Sequence, residues 1–539
     1  MTVENSPMNI NLDEVFETLI EFNTDIAGDA LEIIGNITAE LYGQPAVPGE
    51  IERQAERLLL EAFVPGRSIE IAPLTIIQEG EDFELNGTLI APVLFNQGVI
   101  FDDNRFGDNL LTGVFFNDGF INFNRGEDFV VGATGGISNG PTGVISTGGQ
   151  LDLISGADSG VENVKGIFNF GGLIDSGNGN DRIVGNAVAT FDVEGVENIS
   201  GGLIKTGRGN DLIDGQAAAL NEAAGIENED FSTISTGLGN DFVFGVADDL
   251  TGLLDGGKIA GILNKDGSVI STGGGNDVME GVAFADNSEE AIGGRVGGIG
   301  NAFSSISLGA GSDRVTGEAF SAGEQITSGI ISIGSVDNQA LLKLGNGDDF
   351  VLGAAISKGG AVTSGIELEN STLQSKGGNN LIEGEAVGGI FNSGILLDSS
   401  STIKLGAGND VVAGFAFDGI ESNQGITNFG TIKLGGGDDV IESLAGDFGG
   451  DGTTRLGSGN DFILGFGTGN FNGGAGTDII KLTTGVYRFE DKTLTREEDG
   501  VSMGLRGVEG LSGLADEEAL LLVDGATYIV NEDNSALFF

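Results

Sequence analysis

The chain has 539 residues, enough for several ordinary domains or for one long repeat array; 97 of them are glycine and 39% are hydrophobic. Its 24 basic and 81 acidic residues leave a formal charge of -57, which argues against nucleic acid and anionic membrane surfaces as partners held by the net charge and makes cations the natural counterpart. Histidine and cysteine are absent, which removes zincin, Ser-His-Asp and Cys-His chemistry together with any disulfide framework.

The chain opens MTVENSPMNINLDEVFETL, without the basic and apolar regions of a cleavable signal peptide, so export is expected to use another route. Residues 1–70 read as a helical N-terminal region. Leu12, Val15, Phe16, Leu19 and Ile20 keep helical spacing, and Ile51, Ala55, Leu58, Leu59 and Phe63 form a second amphipathic stretch. Those faces are expected to pack on each other or on the end of the array that follows. No run of about 18 apolar residues occurs, so no transmembrane segment is expected.

Residues 71–165 turn to short β runs such as FELNGTLIAPVLF, with degenerate copies of a repeat around Asn109, Asp128 and Asp152. All seven prolines fall before position 142. The Val/Ile/Leu-rich remainder suits a ladder in which every backbone N–H donates.

Residues 166–482 carry the repeat itself, aligned on Asp181, Asp211, Asp241, Asp277, Asp313, Asp349, Asn380, Asp410, Asp439, Asp461 and Asp478. Most intervals lie between 29 and 36 residues, the period of a solenoid, and the last two shorten to 22 and 17. Glycine stands four and two residues before the aspartate, as Gly177 and Gly179, Gly207 and Gly209, Gly237 and Gly239, Gly273 and Gly275, Gly309 and Gly311. The pattern continues with Gly345 and Gly347, Gly406 and Gly408, Gly435 and Gly437, Gly457 and Gly459, Gly474 and Gly476. The seventh turn departs, with Lys376 and Asn380.

An aliphatic or methionine side chain follows two residues after each aspartate, from Ile183 to Ile480, and another apolar residue lies seven before it in most repeats, as at Ile174 and Ile204. Strands therefore enter and leave each glycine turn with one face buried. A second signature, Gly-Ile-x-Asn or close to it, as at Gly166 to Asn169 and Gly225 to Asn228, marks a third strand or corner. The expectation is an all-β fold, a parallel β-helix or β-roll solenoid of about 30-residue coils, capped by a strand-rich unit at residues 483–539.

Stacked coils place equivalent residues about 4.8 Å apart, so the aspartates form a column of carboxylates. At an effective dielectric near 20, neighbours repel by roughly 3 to 4 kcal/mol. A hard divalent cation relieves this at neutral pH, and calcium, with six to eight oxygens in flexible geometry, suits the site better than magnesium. The glycines let the backbone bend through positive φ and turn carbonyl oxygens toward the ion. Asparagine or aspartate just before the column (Asn180, Asn210, Asn240, Asn276, Asp348, Asn409, Asp438, Asn460) orients the turn or binds. The other reading of the same pattern is a set of glycine corners with asparagine ladders and no ion.

The strings GNGNDRIVG, GRGNDLIDG, GLGNDFVFG, GAGNDVVAG and GSGNDFILG resemble the Gly-Gly-x-Gly-x-Asp-x-aliphatic-x nonapeptide of the repeats-in-toxin, or hemolysin-type, calcium-binding proteins. The resemblance implies that the ten column aspartates and the glycine-turn carbonyls hold calcium ions between coils. It also implies one-step type I secretion through an uncleaved C-terminal signal, to which the ending NEDNSALFF is similar, and folding in external calcium. Family repeats run in tandem every nine residues, whereas here one turn occurs per longer coil, so a single main column is expected.

No catalytic residue is assigned. Tyr42, Tyr487 and Tyr528 lie outside the array, and Arg182, Lys205, Arg208, Lys343, Lys404 and Lys433 read as charge compensation near the acidic turns. The expected function is a secreted, calcium-dependent structural or adhesive protein of the cell surface. Its expected partners are calcium, further copies of itself in filaments or layers, or a surface glycan. A polysaccharide lyase or epimerase on a β-helix and a calcium-dependent pore-forming toxin are the alternatives.

Overall fold

The computed structural model describes residues 68–539, apart from 72–74, 86, 103–107, 125, 220–221, 250–257, 286–294, 324–325, 360, 517 and 539. The helical stretches expected around residues 12–20 and 51–63 lie outside the described residues, and Ser68–Ile71 is already a strand.

The fold is a parallel β-solenoid, and one coil shows its logic. Leu203–Lys205 is a three-residue strand, residues 206–211 make the glycine turn, and Leu212–Ala219 and Ala223–Asn228 follow as longer strands before Thr233–Ser235 starts the next coil. Each strand pairs in parallel with its equivalent one coil on. The residue after each aspartate turn runs in unbroken register through Leu111, Val130, Ile154, Ile183, Ile213 and Val243 to Met279. That ladder continues to Ile480 and Leu511. The short strands contribute a facing ladder, Ile121, Ile145, Ile174, Ile204, Ile234 and Ile270. These side chains are fully buried, each worth about 1.5 to 3 kcal/mol of transfer free energy, and together they make one continuous core.

A second, smaller core lies beside the first. The two longer strands of a coil run on past the main core and pack a column of alanines (Ala187, Ala217, Ala247, Ala283, Ala319) against Val164, Val193, Ala223, Ile259 and Val296. Between the two cores the strands touch backbone to backbone. A Cβ on Gly185 would lie 2.0 Å from the Gly195 carbonyl oxygen, and one on Gly215 would lie 2.1 Å from that of Gly225. A Cβ on Gly195, the glycine of the Gly-Ile-x-Asn signature, would lie 2.2 Å from the Gln216 nitrogen, so that glycine too is there for close approach. The extra length of the two intervals between Asp241 and Asp313 falls in the sequence between these strands.

The asparagine of the same signature sits inside. Nδ2 of Asn139 donates to Oδ1 of Asn169 at 2.8 Å, Asn169 to Asn198 at 2.7 Å, Asn198 to Asn228 at 2.8 Å and Asn228 to Asn264 at 2.8 Å. The same amides donate to carbonyls at the coil corner, as Asn198 does to Gly202 and Thr233. The ladder starts at Asn96 and Asn117 and ends at Asn301, which donates to Ser332.

After Leu482 the pairing changes sign. Gly485–Glu490 pairs antiparallel with Thr493–Arg496 and with Ala526–Val530, while Ser502–Arg506 and Gly510–Gly513 continue the parallel ladders of the last coil. Tyr487 and Tyr528 are fully buried in this terminal unit.

Replacing Asn228 with alanine leaves Oδ1 of Asn264 buried and unpaired and takes one acceptor from the Asn198 amide, which keeps those of Gly202 and Thr233. The substitution is expected to cost about 2 kcal/mol or more, read as a lower urea midpoint with an unchanged slope. An unchanged midpoint contradicts the ladder's structural role.

Candidate metal centre

All eleven aligned positions form one column, and the side chains point inward: Asp181, Asp277, Asp410, Asp439, Asp461 and Asp478 have no exposed surface and the others have 2% or less. The link between rungs is specific. Oδ1 of each aspartate accepts the backbone N–H of its counterpart one coil earlier, as Asp211 does from Asp181 at 2.8 Å, Asp241 from Asp211 at 3.0 Å, Asp277 from Asp241 at 2.9 Å and Asp313 from Asp277 at 2.9 Å. The same bond recurs from Asp313 to Asp349, from Asp410 to Asp439 and from there to Asp461 and Asp478.

The column is longer than the aligned motif. Asp128 and Asp152 occupy it upstream, and Glu509 of the terminal unit closes it by accepting from the Asp478 N–H at 2.9 Å. The turn before Asp152 has Gln150, at φ 118°, where the other turns have their second glycine.

The second carboxylate oxygen is the unusual atom. Oδ2 of Asp128, Asp152, Asp181, Asp211, Asp277 and Asp313 is buried without a hydrogen-bond partner, and so is that of Asp349, Asp410, Asp439, Asp461 and Asp478. Asp241 differs because the Thr236 hydroxyl donates to it at 2.6 Å. Its neighbours along the column change partway. Thr147, Ser176, Thr206, Thr236 and Thr272 line the first half, and Leu308, Leu344, Leu405, Leu434 and Leu456 line the second, all buried.

Burial pushes the carboxyls of Asp181, Asp313 and Asp439 up to about 7 and that of Asp152 up to about 8. The N–H bond from the previous coil pulls each one back down, while the neighbouring carboxylate adds to the rise. Asp211, Asp349 and Asp478 rise to about 6 for the same first cause. Raised values at a row of like, buried charges are what desolvation and mutual repulsion produce together.

The glycines are required by stacking as well as by turn conformation. Gly177, Gly207, Gly237, Gly273, Gly309 and Gly345 have φ between 92° and 106°, and a Cβ on Gly209 would lie 1.3 Å from the Gly179 oxygen. The carbonyls of Gly177, Gly207 and Gly237 each accept a backbone N–H from the next turn, so they run along the column and keep one lone pair for another partner. The residue before each aspartate orients the turn: Oδ1 of Asn180 accepts the Asn210 N–H at 2.9 Å, and Asn210, Asn240, Asn276, Asn409, Asp438 and Asn460 repeat the bond. This exposed ladder runs opposite to the buried one.

Among the described residues no group of three or more acidic side chains is placed to hold a metal ion. A cation here would be held by the free Oδ2 of a rung together with carbonyls of the turn, all hard oxygen donors that fit calcium. The unpartnered oxygens and the absence of nitrogen or sulfur donors in the column meet that requirement. Asn380 shows how the chain treats a rung without the charge: its Nδ2 donates to the Gly378 carbonyl at 3.0 Å and to Oδ1 of Asp410 at 2.8 Å, which leaves no orphan on that rung.

The basic residues are placed otherwise than by pairing with the turns. Lys205, Arg208, Lys343, Lys404 and Lys433 form no ion pair among the described residues, whereas Lys165 and Lys265 are clasped by Glu194 and Glu197 and by Glu227 and Glu229. No helix of the described residues is long and apolar enough to cross a membrane. No family model, no curated protein and no solved structure matches the chain.

A carboxyl whose folded-state value is raised favours the fold below the unfolded value near 4, and that advantage is lost as pH climbs through the folded value. The metal-free protein is therefore expected to melt at falling temperature as pH rises from about 4 to about 8, the window set by values of about 6 to about 8. Thermal denaturation in chelator across that range checks it, and a melting temperature that rises with pH contradicts it.

Proposed function

We propose that this chain is a secreted, calcium-dependent structural or adhesive protein of the cell surface, whose coils lock together when calcium neutralises the aspartate column. The observation that carries the reading is the row of buried carboxylate oxygens with no partner, repeated on rung after rung. A single orphan oxygen is a local defect; a column of them in register is a site waiting for a charge of opposite sign. The formal charge of -57 supports the same scheme, because such a chain stays expanded where divalent ions are scarce and compacts where they are abundant. The likeness of the glycine turns to hemolysin-type repeats adds export by the type I route and assembly outside the cell.

The role is structural because the repeated feature is the fold's own seam. The histidine- and cysteine-free composition leaves little for acid-base or nucleophilic work, and the two tyrosines of the terminal unit are buried. Self-association into filaments or layers and attachment to a glycan are the two forms the role can take.

The test is a calcium titration of the chelated protein, followed by circular dichroism, light scattering and equilibrium dialysis. The expected result is a gain of β signal and of melting temperature with a midpoint between about 0.1 and about 1 mM, the range of extracellular calcium modules, and several ions bound per chain. Equal β signal and melting temperature in calcium and in chelator mean that the carboxylates are held protonated, and the reading is wrong.

A further inference from the structure

Sheet register brings together cations that lie far apart in sequence. On the outer face of the short-strand ladder, seven consecutive rungs carry Lys343, Gln374, Lys404, Lys433, Arg455, Asn472 and Arg506 in one column. Five of the seven are basic and none is acidic, in a chain where acids outnumber bases 81 to 24. Lys404, Arg455 and Arg506 are exposed and Lys343 and Lys433 half-buried, and none of the five forms an ion pair among the described residues. The column alongside is uncharged and hydroxylated, with Thr372, Thr402, Thr431 and Thr453 on successive rungs.

Like charges stacked at the coil rise of about 4.8 Å repel one another by about 1 kcal/mol per pair even in water. A chain rich in carboxylates would quench such a row by placing one acid in it, and the earlier rung that pairs Asp175 with Lys205 does so. From Lys343 onward the row is kept free of acids, so its charge is available to something outside the chain.

We propose that this face binds an anionic polysaccharide, a chain of uronic acid residues laid along the solenoid axis with its carboxylates on the cation column and its ring hydroxyls on the threonine column. The spacing selects the class. An extended acidic peptide presents same-side charges about 6.8 Å apart, out of step with the rungs. A second copy of this chain offers no mate, because no strand column among the described residues carries more than two acids on consecutive rungs, Glu197 and Glu227. A two-fold 1,4-linked uronate chain turns alternate rings to opposite sides, so its same-side carboxylates recur every second ring, about two coil rises apart, which is the spacing of Lys343, Lys404, Arg455 and Arg506 on alternate rungs, and its ring hydroxyls reach the threonine column. The inference rests on the adhesive form of the function proposed above and does not depend on the calcium column.

The test uses the full chain and a fluorescent oligogalacturonate too short to gel, with an uncharged oligoglucan of equal length as the comparison, by anisotropy in calcium and in chelator. Two triple variants are compared, Lys404→Gln/Lys433→Gln/Arg455→Gln in the column and Arg182→Gln/Arg208→Gln/Lys358→Gln outside it. Both remove three charges, and both are checked for unaltered circular dichroism. The expected result is uronate binding that weakens with added salt, no oligoglucan binding, at least a tenfold loss in the column variant and less than a twofold change in the other. Wild-type affinity in the column variant, equal loss in both variants, or no uronate binding at all overturns the proposal. Polyglutamate competing as well as unlabelled oligogalacturonate overturns the choice of a saccharide. Calcium stoichiometry, measured on the same samples, reports separately on the aspartate column.

Discussion

Stacking one coil on the next in parallel register dictates everything inside this protein, because each residue meets its own equivalent about 4.8 Å above and below. A polar side chain in the interior must therefore be satisfied along the axis by copies of itself and by the backbone beside it. Asparagine meets that demand without help, since its amide carries a donor and an acceptor, and Asn139, Asn169, Asn198, Asn228 and Asn264 pass one bond to the next. An ionised aspartate only accepts. Its first oxygen is served by the N–H of the neighbouring rung, and its second has nothing left to bind.

The two columns are thus a controlled comparison within one molecule. Both are buried and both are in register; the asparagines from Asn139 to Asn264 leave no amide atom unpaired, whereas the charged column leaves an oxygen unpaired on rung after rung. Asn380 within the aspartate column repairs its rung by donating to Gly378 and Asp410, so the geometry of the turn tolerates the neutral residue. Aspartate on the other rungs therefore has a reason beyond fitting the turn, and neutralisation by a cation supplies one. Protonation supplies another, and the raised values along the column place the choice between the two near neutral pH. The change from hydroxyl neighbours such as Thr206 and Thr272 to leucines such as Leu308 and Leu434 removes alternative hydrogen-bonding partners from the second half of the column, apart from Ser375.

Much of this was legible in the sequence. The aspartate alignment fixed the register of the aliphatic ladder from Ile183 to Ile480 and the three strands of each coil, because side chains that recur once per coil must stack. Other features were hidden for physical reasons. The alanine column of the small core gives no hydrophobic signal of its own, and Gly185 and Gly195 look like ordinary strand glycines until their carbonyls are seen at contact distance. Glu509 closes the column although it stands in no such turn, unlike Asp128 and Asp152, which the degenerate copies had marked, and the asparagine signature marked a corner without revealing the ladder it forms. Lys343, Lys404 and Lys433 were each read as charge compensation near the acidic turns. Coil lengths change between them, so only the paired strands reveal that they share a column.

The central claim is that the aspartates are charged because a divalent ion requires it, and Asp313→Asn tests this most directly. Asp313 has an orphan Oδ2, a leucine at the flanking position Leu308, and a full glycine turn. Melting temperatures of the variant and the parent should be compared at neutral pH in excess chelator and in saturating calcium. The account predicts opposite signs: the variant melts higher than the parent in chelator, where a buried charge has been removed, and lower in calcium, where a binding rung has been lost. A variant that is the more stable in both conditions contradicts it.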